Sequence, residues 1–163
     1  MTFQTQDLNY ARRVRDSFKC QRFMETLGAS LARVEPGFCE IHLPFRAELA
    51  QQDGFFHAGV ITTLADNASG YAAFTLMAPE AAVLTVEFKM NFLAPGDGQG
   101  LAARGRVIKA GRTLTVCRSD VFNLASGRER LCATALLTMM ALPAKNKDAP
   151  RAGDSTHPCP LPP

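Results

Sequence analysis

The chain has 163 residues, 47% of them hydrophobic, with a formal net charge of +3. That is one domain's worth of chain with enough apolar surface for a sizeable core, and the mild charge gives no footprint for nucleic acid, although it does not repel an anionic small molecule. Five cysteines, odd in number and without CxxC spacing, argue against a disulfide framework or zinc site and point to reduced core thiols in a cytoplasmic protein.

The N-terminus, MTFQTQDLNYARR, lacks the basic start and apolar run of a signal peptide. Asp7 to Leu27 reads as one amphipathic helix. Leu8, Ala11, Val14, Phe18, Phe23 and Leu27 give it an apolar face, and Arg12, Arg13, Arg15, Lys19 and Arg22 read as a solvated side, with phosphate contact the other use of the cluster. Gly28 is a helix stop, so residues 1–28 form an N-terminal helical part of the same domain. Ser30–Val34 and Phe38–Pro44 read as short strands around the turn Glu35-Pro36-Gly37. His42 alternates with apolar neighbours there and reads as structural.

The chain is organised around Gln51 to Met77. About Ala58–Met77 reads as a helix of roughly 30 Å, with Pro79 just beyond it. Ile61, Leu64, Ala68, Tyr71, Ala72 and Thr75 fall on one side. Gly59, Thr62, Thr63, Asp66, Ser69, Gly70 and Ala73 fall on the other. A helix apolar on one side and small on the other is covered on both sides, so Asp66 is expected to be largely buried. Too many polar and small residues interrupt this stretch for it to span a bilayer. A buried carboxylate needs a partner or a purpose. It either hydrogen-bonds to Thr62, Thr63 or Ser69 on its own helix, or it is catalytic. Gln51 and His57 favour the second reading. They arrive just before the helix starts, where free N–H groups stabilise a developing negative charge.

Beyond the helix the pattern changes to period two. Val83–Leu93 puts Leu84, Val86, Phe88, Met90 and Phe92 on one face and Thr85, Glu87, Lys89 and Asn91 on the other. Leu101–Lys109, Thr113–Phe122 and Glu129–Leu142 follow as strands joined by short turns, which predicts an antiparallel meander. One long apolar helix with such a sheet indicates an α+β fold, the helix wrapped by the sheet. From Pro143 onward six of the ten prolines fall among polar residues, so residues 143–163 read as a flexible tail. No phosphate loop, HExxH, metal-ligand spacing or GxSxG elbow occurs.

His57-Ala58-Gly59, with Leu64-Ala65-Asp66 ending nine residues after the histidine, resembles the signature of hotdog-fold acyl-CoA thioesterases of the phenylacetate-pathway (PaaI-like) type. Gln51 stands six residues before His57, where that family carries Asn or Gln. Thr85-Val86-Glu87-Phe88 through Phe92-Leu93-Ala94-Pro95-Gly96 is similar to its next strand and proline turn. The resemblance covers about Leu27 to Leu142, with residues 29–142 as the hotdog domain. Ala58 departs from it, since the family usually has a second glycine there. Alanine keeps the backbone N–H that the family uses as an oxyanion donor but restricts φ.

The resemblance implies hydrolysis of an acyl-CoA thioester by a homodimer or a tetramer of paired dimers. The Ala58 N–H, with the Gly59 N–H and the helix dipole, would polarise the carbonyl. Asp66, from the partner subunit, would be nucleophile or general base. Gln51 would hold the water or the carbonyl, His57 would orient the acyl or thiolate end, and Thr85 would fix the water. Phe55, Phe56 and Met77 are candidates for the acyl pocket, with core packing the other use of Met77. Arg104, Lys109 and Arg112, in a basic cluster with Arg106, are either a solvated strand end or contacts for the coenzyme A phosphates. No metal or redox cofactor is needed, because coenzyme A is part of the substrate. Three rivals stand beside this reading: a hotdog hydratase or dehydratase, a non-catalytic acyl-CoA sensor, and a structural domain without ligand.

Overall fold

A computed structural model describes residues 3–143. Two short helices, α1 (Tyr10–Lys19) and α2 (Arg22–Leu27), precede β1 (Ser30–Glu35) and β2 (Phe38–Pro44). A single 3-10 turn at Ala47–Leu49 leads to the central helix α3 (Ala58–Phe74). Then come β3 (Ala82–Phe92), β4 (Gly100–Ala110), β5 (Leu114–Ala125) and β6 (Arg128–Leu142). The strands form one six-stranded sheet in the order β1-β2-β4-β5-β6-β3, every pair antiparallel. The sheet wraps α3, whose Leu64, Ala68 and Ala72 are fully buried with Ile41, Leu101 and Met139 from the strands. This is the hotdog arrangement. Gly105 lets the two layers touch, since a Cβ there would lie 2.2 Å from the Ala68 carbonyl oxygen.

The expected meander holds for β4, β5 and β6 only. β3 lies at the far edge beside β6, with two strands between it and β4. The segment between them is no hairpin. It crosses the end of the sheet, tied successively to β6, β5 and the segment that leads into α3. Leu93 N–H donates to Cys132 O at 2.8 Å, and Phe56 N–H donates to Gly96 O at 2.8 Å. Asn123 Nδ2 donates to Pro95 O at 2.8 Å.

The expected first helix is two, because Gln21 is extended (φ −82°, ψ 90°) and breaks it. Gly28, at φ 77°, ends α2 in the left-handed conformation. Arg13 does not belong to a solvated side. It is 9% exposed, pairs with Asp7 at 3.1 Å and lies over the Phe74 ring. Its guanidinium donates to the carbonyls of Phe74, Met77, Ala78 and Pro79. Phe74 is the last residue of α3, whose carbonyl a helix end leaves without an intrahelical partner, and the other three carbonyls belong to the turn that follows. The cation also complements the negative end of the α3 dipole. α3 accordingly stops at Phe74, short of Met77, and Thr75 turns the chain by donating to Ala72 O and accepting from Gly37 N–H. Met77 and Phe56 are core residues at 5% and 3% exposure, so neither lines an open acyl pocket, whereas Phe55 is exposed.

Cys39, Cys117 and Cys132 are buried free thiols. The expected tail falls almost wholly outside the described residues. Among those residues no helix is long and apolar enough to cross a membrane.

Candidate active site

The start of α3 is set from both sides. The Ala50–Phe56 bridge and the His57 N–H bond to Leu49 O hold the chain as it turns into the helix. His57 is extended (φ −60°, ψ 137°) and caps the helix, its Nδ1 accepting from Gly59 N–H at 2.9 Å. The Gly59 donor is therefore spent locally. The Ala58 N–H has no partner among the described residues, and His57, Ala58 and Gly59 are all exposed. With Nδ1 accepting, a neutral His57 carries its proton on Nε2, where it can donate outward. Gln51 closes a tight turn beside this end. Its N–H donates to Phe55 O, its carbonyl accepts from Gly54 N–H, and its Oε1 accepts from Asp53 N–H. The Gln51 Nε2 donors have no partner among the described residues.

Asp66 lies further along the same helix, half-buried rather than enclosed. Thr85 Oγ1 donates to its Oδ1 at 2.7 Å. No bond to Thr62, Thr63 or Ser69 forms; Thr63 bonds to Gly59 O instead. Burial pushes the Asp66 pKa above the ordinary carboxylate value, and the Thr85 hydrogen bond pulls the other way.

Strict alternation would have turned Thr85 to the outer face with Glu87 and Lys89. A β-bulge between Thr85 and Glu87 prevents this. Before the bulge Thr85 pairs with Met139, and after it Phe88 pairs with Leu137. Met139 and Leu137 are both buried on the helix side, so Thr85, Phe88, Met90 and Phe92 share that side. Glu87 is on the outer face, where Thr138 Oγ1 donates to it. The bulge re-aims one hydroxyl at Asp66 without inverting the rest of the strand.

The structure thus brings Gln51, His57, Ala58 and Gly59 to one end of α3 and joins Asp66 to Thr85 elsewhere. From Ala58 to Asp66 the helix rises ~12 Å. The basic residues are in neither place. Arg104 donates to Glu40 at 3.1 Å and to both oxygens of Glu129 at 2.6 and 2.7 Å, and it lies over Phe122. That guanidinium is engaged on the outer face. Lys109 and Arg112 are exposed around the β4–β5 turn. A shallow cleft of about 510 Å³ at the opposite end of β4, lined by His42, Pro44, Gln99, Ser126 and Glu129, contains none of the predicted site residues. Burial pushes the Cys39 and Cys117 thiols up to about 12 and Cys132 up to about 11. Such thiols are poor nucleophiles at neutral pH.

The class follows from this layout: a hotdog-fold protein with its carboxylate on the central helix. The sequence profile of the thioesterase superfamily matches residues 53–129. The crystal structure of a thioesterase family protein from Silicibacter pomeroyi is 51% identical. The match covers 83% of this chain and 99% of that one, with a TM-score of 0.81. The chain belongs to the thioesterase superfamily, and hydrolysis of a thioester is its general chemistry. Human acyl-coenzyme A thioesterase 13 is 28% identical over 132 residues, covering 78% of this chain and 91% of that protein. The E. coli PaaI protein of the phenylacetic acid degradation operon shares the fold at 18% identity, with a TM-score of 0.76 over 86% of this chain and 98% of that one.

Proposed function

We propose that the protein is a cytoplasmic acyl-CoA thioesterase whose active site is shared between two copies of the chain. The observation that carries this reading is the separation along α3. The unpartnered Ala58 N–H and the Asp66 carboxylate are ~12 Å apart on one rigid helix, too far to act on one carbonyl carbon. Each half-site is exposed or half-exposed. A second copy supplies the missing half.

The thioester carbonyl accepts from the Ala58 N–H at the positive end of α3, which stabilises the oxyanion as the carbon becomes tetrahedral. Asp66 of the partner subunit acts on that carbon in one of two ways. As a nucleophile it forms an acyl-aspartyl anhydride and expels the CoA thiolate, and water then cleaves the anhydride. As a base it takes a proton from the attacking water. Thr85 holds the carboxylate in place. Gln51 Nε2 positions the water or the carbonyl, and His57 Nε2–H donates to the leaving sulfur or the acyl group. Lys109 and Arg112 remain available to the CoA phosphates, whereas Arg104 is tied to Glu40 and Glu129. The reaction as written needs no metal or redox cofactor.

Mixed oligomers test the shared site. Asp66→Asn removes the carboxylate. Ala58→Pro removes the N–H at the first helical position, where proline is well tolerated, and His57 is already extended as the residue before proline must be. Each variant alone should lose at least about a hundredfold in thiol release from a panel of acyl-CoAs. Unfolded together and refolded at equal amounts, they should recover about a quarter of wild-type activity, because half the dimers are hybrids with one intact site. No recovery places both groups in one chain. Full activity of Asp66→Asn removes the carboxylate from the mechanism.

A further inference from the structure

Asn123 is the exception in its row. It lies on β5 two residues after Val121 and opposite Leu101 of β4. Val121 and Leu101 are fully buried, and Asn123 is itself only 2% exposed. Side chains on one face of a strand recur every second residue, so this is a place for an apolar side chain on the helix side of the sheet. Asparagine is also depleted in strands. Its Nδ2 donates to Pro95 O at 2.8 Å, but its Oδ1 is buried without a partner among the described residues. A buried acceptor left unpaired costs stability. Nor does Pro95 require the bond for solvation, since that residue is exposed and water can serve it. A costly group that core packing does not explain marks a constraint of another kind.

The loop it holds supplies that constraint. Residues 93–99 join β3 to β4, and among them Gly96 carries the carbonyl that accepts from Phe56 N–H at 2.8 Å. Gly96 also lies against the start of α3. A Cβ on it would come 2.9 Å from Phe56 Cβ and 3.1 Å from Ile61 Cδ1. The close approach excludes a side chain, and glycine then brings the widest backbone freedom. That freedom would reach the Phe56 bond if the preceding residue could turn as well. Pro95 is fixed in φ by its ring, and Asn123 ties down its carbonyl. The two restraints keep Gly96 O aimed at Phe56, which leads directly into His57 and Ala58, the cap and the first residue of α3.

We infer that Asn123 is a positioning residue for hydrolysis: through Pro95 and Gly96 it holds Phe56, and so sets the aim of the Ala58 N–H, an assignment that rests on the reading of that N–H as the oxyanion donor. Such a donor acts on charge that develops in the transition state, where a misplacement of about 1 Å can cost as much as a hundredfold. The ground-state complex needs its aim far less, so kcat should carry the effect and KM should not. Asp66 is held by Thr85 instead, so the acid limb of the pH profile should stay in place.

Asn123→Leu removes the amide and sets an apolar side chain of similar size among apolar neighbours. It should melt at or above the wild-type temperature. Its kcat should fall at least about tenfold with KM little changed. Asn123→Ala, which lacks the bulk, should lose kcat to the same extent. In the Ala58→Pro background the loss should vanish, because a residue that acts only through that N–H has nothing left to aim. Proton exchange at the Phe56 amide of Asn123→Leu should quicken at least about tenfold, while exchange within β4 and β5 stays as in wild type. Wild-type kcat in both variants, an undiminished loss in the Ala58→Pro background, or an unchanged Phe56 amide would each overturn the inference. So would two variants that do not fold, or activity that merely tracks the folded fraction. Ala58→Pro separates this failure from that of the hydrolytic reading. If it alone loses activity while the Asn123 variants do not, the donor stands and Asn123 is packing. If Ala58→Pro turns over at the wild-type rate, the donor itself is wrong and Asn123 aims nothing.

Discussion

Asp66 sits in a compromise. Desolvation raises its pKa and the Thr85 hydroxyl lowers it. A base or nucleophile must be ionised, so turnover should fall on the acid side through a pKa above the ordinary aspartate value. Thr85→Val removes the opposing hydrogen bond. The acid limb of the kcat/KM profile should move to higher pH, and turnover at neutral pH should drop by about tenfold, the worth of one hydrogen bond to a charged group. A limb that stays in place would detach Asp66 from the profile. The same shift bears on stability. A carboxyl whose pKa is raised by folding favours the native state most at pH below the unfolded value, and that contribution is lost as pH rises through the folded value. At neutral pH the ionised Asp66 is a cost. Asp66→Asn, which still accepts from Thr85, should melt at or above the wild-type temperature while losing at least about a hundredfold in kcat with little change in KM. A lowered Tm, with activity tracking the folded fraction, would instead make Asp66 structural.

At the scale of elements, α3 is held at both ends and along its middle. His57 caps its start, Gly105 admits it against β4, and Arg13 of α1 gathers the carbonyls at its far end. Arg13→Ala would leave those carbonyls and Asp7 without their cation. We expect a loss of about 3 kcal/mol, roughly 6–12 °C in Tm. Turnover well below the melting range should change little, because Arg13 is remote from Asp66 and Ala58 in the fold. Thermal denaturation beside a thiol-release assay separates the two effects. Gly105→Ala should be at least as harmful, since its new methyl would meet helix backbone that has no room to give.

At the scale of the whole molecule, the single sheet ends in a protected strand, β1, at one edge and in an open one, β3, at the other. Sedimentation at micromolar concentration should show a dimer or a multiple of it. Removing the exposed bulk at that edge by Phe88→Asp should shift it towards monomer and cost turnover in parallel. Dissociation without loss of activity would show that one chain carries a complete site.

Periodicity and local chemistry determined much of this protein without any coordinates. The apolar stripe of α3, the alternation of β3 to β6 and the stop at Gly28 depend on a few residues each. They were legible, as was the spacing of His57 and Asp66. Other features join residues far apart in the chain. Arg13 looked solvated because the carbonyls it binds lie more than sixty positions on. Thr85 looked outward because nothing in Thr-Val-Glu-Phe signals a bulge; that depends on how β3 registers with β6. β3 went to the far edge because Cys132, Asn123 and Phe56 draw the following loop across the sheet. The Gly59 N–H was expected at the carbonyl, but the His57 ring turns back to take it. Local pattern sets which face an element shows. Strand order, register and the choice of hydrogen-bond partner are competitions among distant groups, and only the assembled tertiary structure decides them.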